Sequence, residues 1–155
     1  MIEEHLIKSL KLNIKLISFF KHPKESRFIN LFKNIKNHKK KKGMKVCPKD
    51  IMLGKDQRTS IIIKNIPEYI TEEEFKQIII KFSPNFDFFY IPNNIITRKK
   101  LRVAFINVLN CMEIVPIFMG LIYRTKFIYK NQDINIEICY SKVQGKDRLI
   151  QRFFQ

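Results

Sequence analysis

Two kinds of side chain stand out in this sequence by type and position, and both kinds bind rather than react. The first is cationic: 30 Lys and Arg stand against 14 Asp and Glu in 155 residues, a net charge of +16, and Lys39, Lys40, Lys41 and Lys42 are consecutive. Clustered cations favour a polyanion, because each one that neutralises a phosphate releases condensed counterions. An Ile-, Asn- and Lys-rich composition of the kind an AT-rich genome produces is the competing source of that excess. The second kind is aromatic, with Phe89 and Phe105 in short strand-like segments. Rings placed in that way can stack on planar groups.

Residues that react are poorly placed. Cys47, Cys111 and Cys139 are odd in number and lack C-x-x-C spacing, which argues against a zinc site or a disulfide framework. His5, His22 and His38 all fall in the first third, so the better-patterned remainder has no Cys/His or Ser/His pairing. The adjacent carboxylates Glu72, Glu73 and Glu74 follow Thr71, as the first turn of a capped helix does. The expectation is therefore no catalytic residue, no metal, no cofactor and no small-molecule substrate.

These side chains need elements to hold them. A hydrophobic fraction of 45% with 14 Phe excludes a wholly disordered chain. No apolar stretch approaches the roughly 18 residues of a transmembrane helix. Charge divides the chain: residues before Arg58 hold 15 basic and 5 acidic side chains, and those from Arg58 onward hold 15 and 9. Residues 1–57 read as a basic N-terminal extension. Within it, 6–20 have the recurrence of an amphipathic helix, with Leu6, Ile7, Leu10, Ile14 and Ile17 on one side. The Lys-rich stretch 33–45 reads as a solvated arm, for nuclear import or for nonspecific phosphate binding. A linker follows to residue 57.

From Arg58 the texture alternates. Ser60 to Ile66, halted by Pro67, is a first strand; Thr71 caps a helix with Phe75, Ile78, Ile79 and Phe82 on its apolar side. Phe86–Ile91 and Leu101–Val108 form the second and third strands. A second helix spans 110–122 despite Pro116, a fourth strand spans 134–141, and a last helix runs from Gly145 with Leu149, Ile150, Phe153 and Phe154. The fold class is α+β: a ferredoxin-like βαββαβ sandwich with an extra C-terminal helix and a partly helical basic extension.

In that topology two helices cover one sheet face and leave the other open. Period-two geometry puts Ile62 and Lys64 of the first strand outward, and Val103, Phe105 and Asn107 of the third. On the second strand Asp87, Phe89 and Ile91 are assigned outward, since the opposite register would bury Asp87. On the fourth, Ile136, Ile138 and Tyr140 go inward. RNA recognition motifs of this topology stack bases on strand aromatics, and their octapeptide K/R-G-F/Y-G/A-F-V-x-F/Y belongs on the third strand. Here Leu101–Val108 matches it at Ala104 and Phe105, and conservatively at Ile106.

Five ordered blocks extend this likeness: 58–67 (RTSIIIKNIP), 86–92 (FDFFYIP), 103–107 (VAFIN), 114–118 (IVPIF) and the tail 140–146 (YSKVQGK). Together they resemble the C-terminal RNA recognition motif of Mei-two-like proteins over about residues 58–155. That family tolerates proline in its second helix, and its usual glycine and aromatic are replaced here by Arg102 and Val103. The resemblance implies single-stranded RNA as partner and a nuclear location ahead of a cytoplasmic one. RNA would meet the sheet face, the C-terminal helix and the basic arm, with Ile62, Lys64, Phe89, Arg102, Val103, Phe105, Asn107, Lys142 and Lys146 as the contact residues beside Lys39–Lys42. The alternative is a protein-interaction module, with a degenerate RNA-binding face or the N-terminal helix docking a protein partner.

Overall fold

Three consecutive isoleucines between Ser60 and Lys64 seed the sheet, because β-branched side chains favour an extended backbone. A computed structural model describes residues 44–155. In chain order these form α1 (Pro48–Met52), β1 (Ser60–Lys64), α2 (Glu72–Phe82), β2 (Phe86–Tyr90) and β3 (Val103–Val108). Then come α3 (Ile114–Met119), a small hairpin of β4 (Phe127–Tyr129) and β5 (Gln132–Ile134), β6 (Glu137–Tyr140), and α4 (Lys146–Phe154). The main sheet has the order β2-β3-β1-β6 with every pairing antiparallel, the expected βαββαβ arrangement. The helix expected over 6–20 and the lysines Lys39, Lys40, Lys41 and Lys42 lie outside the described residues.

Local chemistry accounts for the helix ends. Thr71 Oγ1 accepts from the Glu74 N–H at 3.1 Å, and Glu74 Oε2 accepts from the Thr71 N–H at 3.0 Å, a closed capping box that starts α2. A 3₁₀ turn at Cys111–Glu113 leads into α3, which makes Pro116 the third residue of that helix. In a first turn the backbone nitrogen has no carbonyl to bond, so the proline breaks nothing. At Gly120, just past α3, a methyl group would overlap the Phe82 ring; the absence of a side chain there lets α2 and α3 meet.

The core lies between the sheet and these helices. Ile61, Ile63, Ala104, Ile106, Ile138 and Tyr140 point into it from the strands, against Phe75, Ile79, Ile114 and Ile117. Fully burying one such side chain contributes about 1.5–3 kcal/mol. The segment expected to be a linker joins this core. Val46, Ile51 and Met52 are buried in it, Lys45 bridges to Cys139, and the Val46 N–H donates to the Ile138 carbonyl at 3.2 Å. Residues 44–46 therefore lengthen the sheet beyond β6, and the packed unit begins ahead of Arg58.

Tyr140 ends β6 with its ring 1% exposed and its hydroxyl without a hydrogen-bond partner among the described residues. Burial pushes the phenol far above its ordinary range. Arg58, held by Asp56 at 2.7 Å, lies 3.8 Å above the ring centroid, so a cation covers the aromatic face.

A second apolar layer forms on the other side of the sheet. Phe88, Cys139 and Leu149 are buried yet stand apart from the main core cluster. Leu149 belongs to α4, whose Phe153 and Phe154 rings touch strand aromatics. The face that a plain βαββαβ sandwich leaves open is here covered by α4.

Candidate nucleic-acid interface

Strand register lines up the outer face. Cys139 of β6, Ile62 of β1, Phe105 of β3 and Tyr90 of β2 are successive cross-strand partners, one row across all four strands. A second row holds Glu137, Lys64 and Val103. A third brings Ser60, Asn107 and Phe88 together. Ile62, Lys64, Val103, Phe105 and Asn107 are thus united on one face as expected.

Phe89 is not among them. A bulge in β2 falls between Phe86 and Phe88: Phe86 pairs with Val108, Phe88 with Asn107, and Asp87 is the extra residue. Asp87 stays exposed, as the sequence logic required. The insertion then shifts the phase by one, so Phe88 and Tyr90 face outward while Phe89 and Ile91 turn to the helix side. The Phe89 ring lies 6.4 Å from that of Phe75 in α2 and 6.0 Å from Phe86, and Ile91 is buried in the core. Nothing in an FDFFY sequence marks a bulge, but its alternate rings leave either Phe89, or Phe88 with Tyr90, for the outer face.

The outer rings are occupied from above. The Phe153 ring centroid lies 4.7 Å from Phe105 and 5.2 Å from Tyr90, and that of Phe154 lies 4.8 Å from Tyr90 and 6.2 Å from Phe88. Leu149 and Phe153, four residues apart on one side of α4, supply the apolar contact.

A polar network roots this helix. Gln144 Oε1 accepts from the backbone N–H groups of Thr59 and Ser60 at 3.2 and 3.0 Å, while its Nε2 donates to the Ser60 and Ser141 carbonyls at 2.9 and 2.8 Å. The Gly145 N–H donates to Ser60 Oγ, which donates to Asn107 Oδ1; Thr59 Oγ1 donates to the same oxygen. Asn107 Nδ2 donates to Asp87 Oδ1 at 2.7 Å. Asn107, 6% exposed with its amide oxygen accepting twice and its nitrogen donating to Asp87, is a strut of the face. Gly145 has φ +95° and ψ 147°, a backbone region essentially reserved for glycine, which turns the chain from β6 into α4. The 140–146 tail is legible as a block, but its anchor Gln144 has no signal of its own in the sequence, because its partners lie at Thr59 and Ser60.

The cations sit around this layer. Lys64 is half-buried opposite Glu137 and Val103, whereas Arg102 is exposed with its Nε donating to the Ile66 carbonyl at 3.0 Å. Lys142 and Lys146 are exposed on either side of Gln144. Lys100 pairs with Glu72 at 2.6 Å and reaches within 5.7 Å of the Tyr90 ring centroid, tying the β2–β3 loop to α2. Cys139 contributes a neutral thiol to the row, because burial and then its hydrogen bond to Glu137 raise its pKa.

The family model for RNA recognition motif 2 matches residues 58–154. The chain belongs to the RNA recognition motif 2 family. Protein MEI2-like 5 of Oryza sativa subsp. japonica is 33% identical over 104 residues, 66% of this chain and 13% of that protein. Meiosis protein mei2 of Schizosaccharomyces pombe is 30% identical over 104 residues, again 66% of this chain and 14% of that protein. The likeness to Mei-two-like proteins read from the five blocks is thereby borne out, over a small part of those relatives' length. Among solved structures, the RNA recognition motif of RNA15 is similar at a TM-score of 0.45 and 15% identity, covering 56% of this chain and 92% of that one. This RNA recognition motif carries Ile62 and Val103 on its outer face, and its rings there are Phe88, Tyr90 and Phe105.

Proposed function

We propose that this chain binds single-stranded RNA through the outer face of its sheet and the cations around it, in RNA regulation or processing. The supporting observation is the row Ile62–Phe105–Tyr90 in a chain of the RNA recognition motif 2 family, with Lys64, Arg102, Lys142 and Lys146 nearby. A base stacked on an aromatic ring is worth roughly 1–3 kcal/mol. Ile62 and Val103 offer no ring, so charge carries a larger share of the affinity, and the Lys39–Lys42 run is proposed as an arm that adds to it or directs the chain to the nucleus.

Fluorescence anisotropy with single-stranded RNA pools at two salt concentrations tests the reading. Binding that weakens with salt, and that Phe105→Ala weakens about tenfold without changing the salt slope, is the expected result. No detectable binding at low salt sinks the proposal.

One observation favours a second reading, that of a protein-interaction module: the outer face already accommodates an amphipathic helix, α4. A partner that survives nuclease treatment, together with RNA binding indifferent to Phe105→Ala, would support it against the first.

A further inference from the structure

We propose that Phe153 and Phe154 stand in for two stacked bases, so that RNA and the end of α4 compete for one site made by Phe105 and Tyr90. This rests on the RNA-binding reading above and specifies its site. Each of the two platform rings has a partner from α4: Phe153 lies 4.7 Å from Phe105 and Phe154 lies 4.8 Å from Tyr90, centroid to centroid. Both pairs are tilted, at 58° and 57° between ring planes, so they are packed contacts and not parallel stacks, and they take the ring surface that a base would need. Two rings on two adjacent strand positions fix the exchange as two unpaired bases.

The helix is built to release its end while keeping its root. At the root, Gln144 binds the backbone of Ser60 and Ser141, and Leu149 is fully buried. At the other end, Phe154 is 58% exposed, and Gln151 and Arg152 beside it are exposed as well. A turn with few buried contacts opens far more easily than a buried root. Opening withdraws Phe153 and Phe154 together, and the affinity measured for RNA is the affinity of the open face reduced by the fraction of molecules that are open.

The test uses the full chain and a fluorescein-labelled ten-nucleotide single-stranded RNA of mixed sequence at low salt. The double variant Phe153→Ser/Phe154→Ser keeps every charge of α4; it is expected to bind about tenfold more tightly than the unsubstituted chain. Affinity that is unchanged or lower in the variant overturns the proposal. A second measurement needs no substitution at all: with fluorine-labelled phenylalanine, the Phe153 and Phe154 resonances should move to solvent-exposed positions on RNA saturation, and their staying in place under saturating RNA also overturns it. If neither protein binds at low salt, the RNA-binding reading falls as well; if the unsubstituted chain binds but the variant binds no better, only the competition falls.

Discussion

Gln144 grips Ser60 from both sides: its side-chain oxygen accepts from the Ser60 N–H at 3.0 Å and its nitrogen donates to the Ser60 carbonyl at 2.9 Å. A side-chain amide here imitates a neighbouring strand at the start of β1: it gives the Ser60 N–H an acceptor and shares the Ser60 carbonyl with the Ser141 N–H, which donates to it at 2.9 Å. Because Gly145 then donates to Ser60 Oγ, the same residue that closes the sheet also sets where α4 begins.

Gln144→Ala leaves the Thr59 and Ser60 amides without that acceptor. Ser60 is fully buried, so water does not easily replace the lost bonds. The expected cost is about 2–3 kcal/mol, since each unsatisfied buried group costs roughly 1–3 kcal/mol. Urea unfolding should show a lower midpoint with an unchanged slope; a shift below about 0.5 kcal/mol would mean that the amide holds nothing.

The β2 bulge separates two neighbouring rings by role. Phe89→Ala removes a ring packed on Phe75 and Phe86, and should cost about 3 kcal/mol of stability while sparing the intrinsic affinity of the folded protein for RNA. Tyr90→Ala should cost less stability and weaken RNA binding, because Tyr90 sits beside Phe105 on the outer row. Parallel chemical denaturation and anisotropy on both variants check this. A stability loss confined to Tyr90→Ala with a binding loss confined to Phe89→Ala would mean the register runs the other way.

That pair also marks how far the sequence could be read. Strand periods placed Ile62, Lys64, Val103, Phe105 and Asn107 on one face, because β1 and β3 pair without interruption and an alternating pattern survives intact. The same logic chose correctly for Asp87 and then failed two residues later at Phe89, since one extra residue reverses every side chain beyond it. The linker reading of 45–57 failed for a different reason: Val46, Ile51 and Met52 are too few to give a period, and only the completed sheet and α3 supply the surface they bury against. Leu149, Ile150, Phe153 and Phe154 showed helical spacing in advance, but which face of the sheet α4 takes depends on Gln144 and Gly145, whose bonds are to residues 84 and 85 positions away.

Tyr140 ties stability to alkaline pH. Its phenol is held protonated by burial, so its pKa in the folded chain is raised above the value of about 10 in the unfolded chain. A raised folded pKa means stability that is complete below pH 10 and lost as pH climbs beyond it, where the unfolded chain ionises and the folded one does not. Tyr140→Phe abolishes that part of the loss. At pH 7 the variant should be as stable as the original or slightly more so, because the hydroxyl has no hydrogen bond to forfeit among the described residues and the Arg58 cation still covers a ring. Thermal unfolding from pH 7 to 11 measures both points. Cys111 and Cys139, also raised by burial, lose their contribution from about pH 8.5 in both proteins, so the two curves should part only above pH 10. Curves that remain parallel to pH 11 would contradict the assignment.

The lysine run and the sheet face should separate in a salt titration. For a single strand, the logarithm of the binding constant falls with the logarithm of salt concentration by about 0.7 for each phosphate neutralised. Replacing Lys39, Lys40, Lys41 and Lys42 with alanine is therefore expected to flatten the slope by up to about 3, leaving the extrapolated affinity at high salt nearly unchanged. Phe105→Ala should do the opposite, lowering the affinity at every salt concentration with the slope intact. Substitution is the better design than deletion of 33–45, because Lys45 bridges to Cys139, and cutting there would strip the outer edge of β6. An unchanged slope in the alanine variant would assign these four lysines to something other than phosphate, and the remaining cations, Arg102, Lys142 and Lys146 among them, would have to account for whatever salt dependence is left.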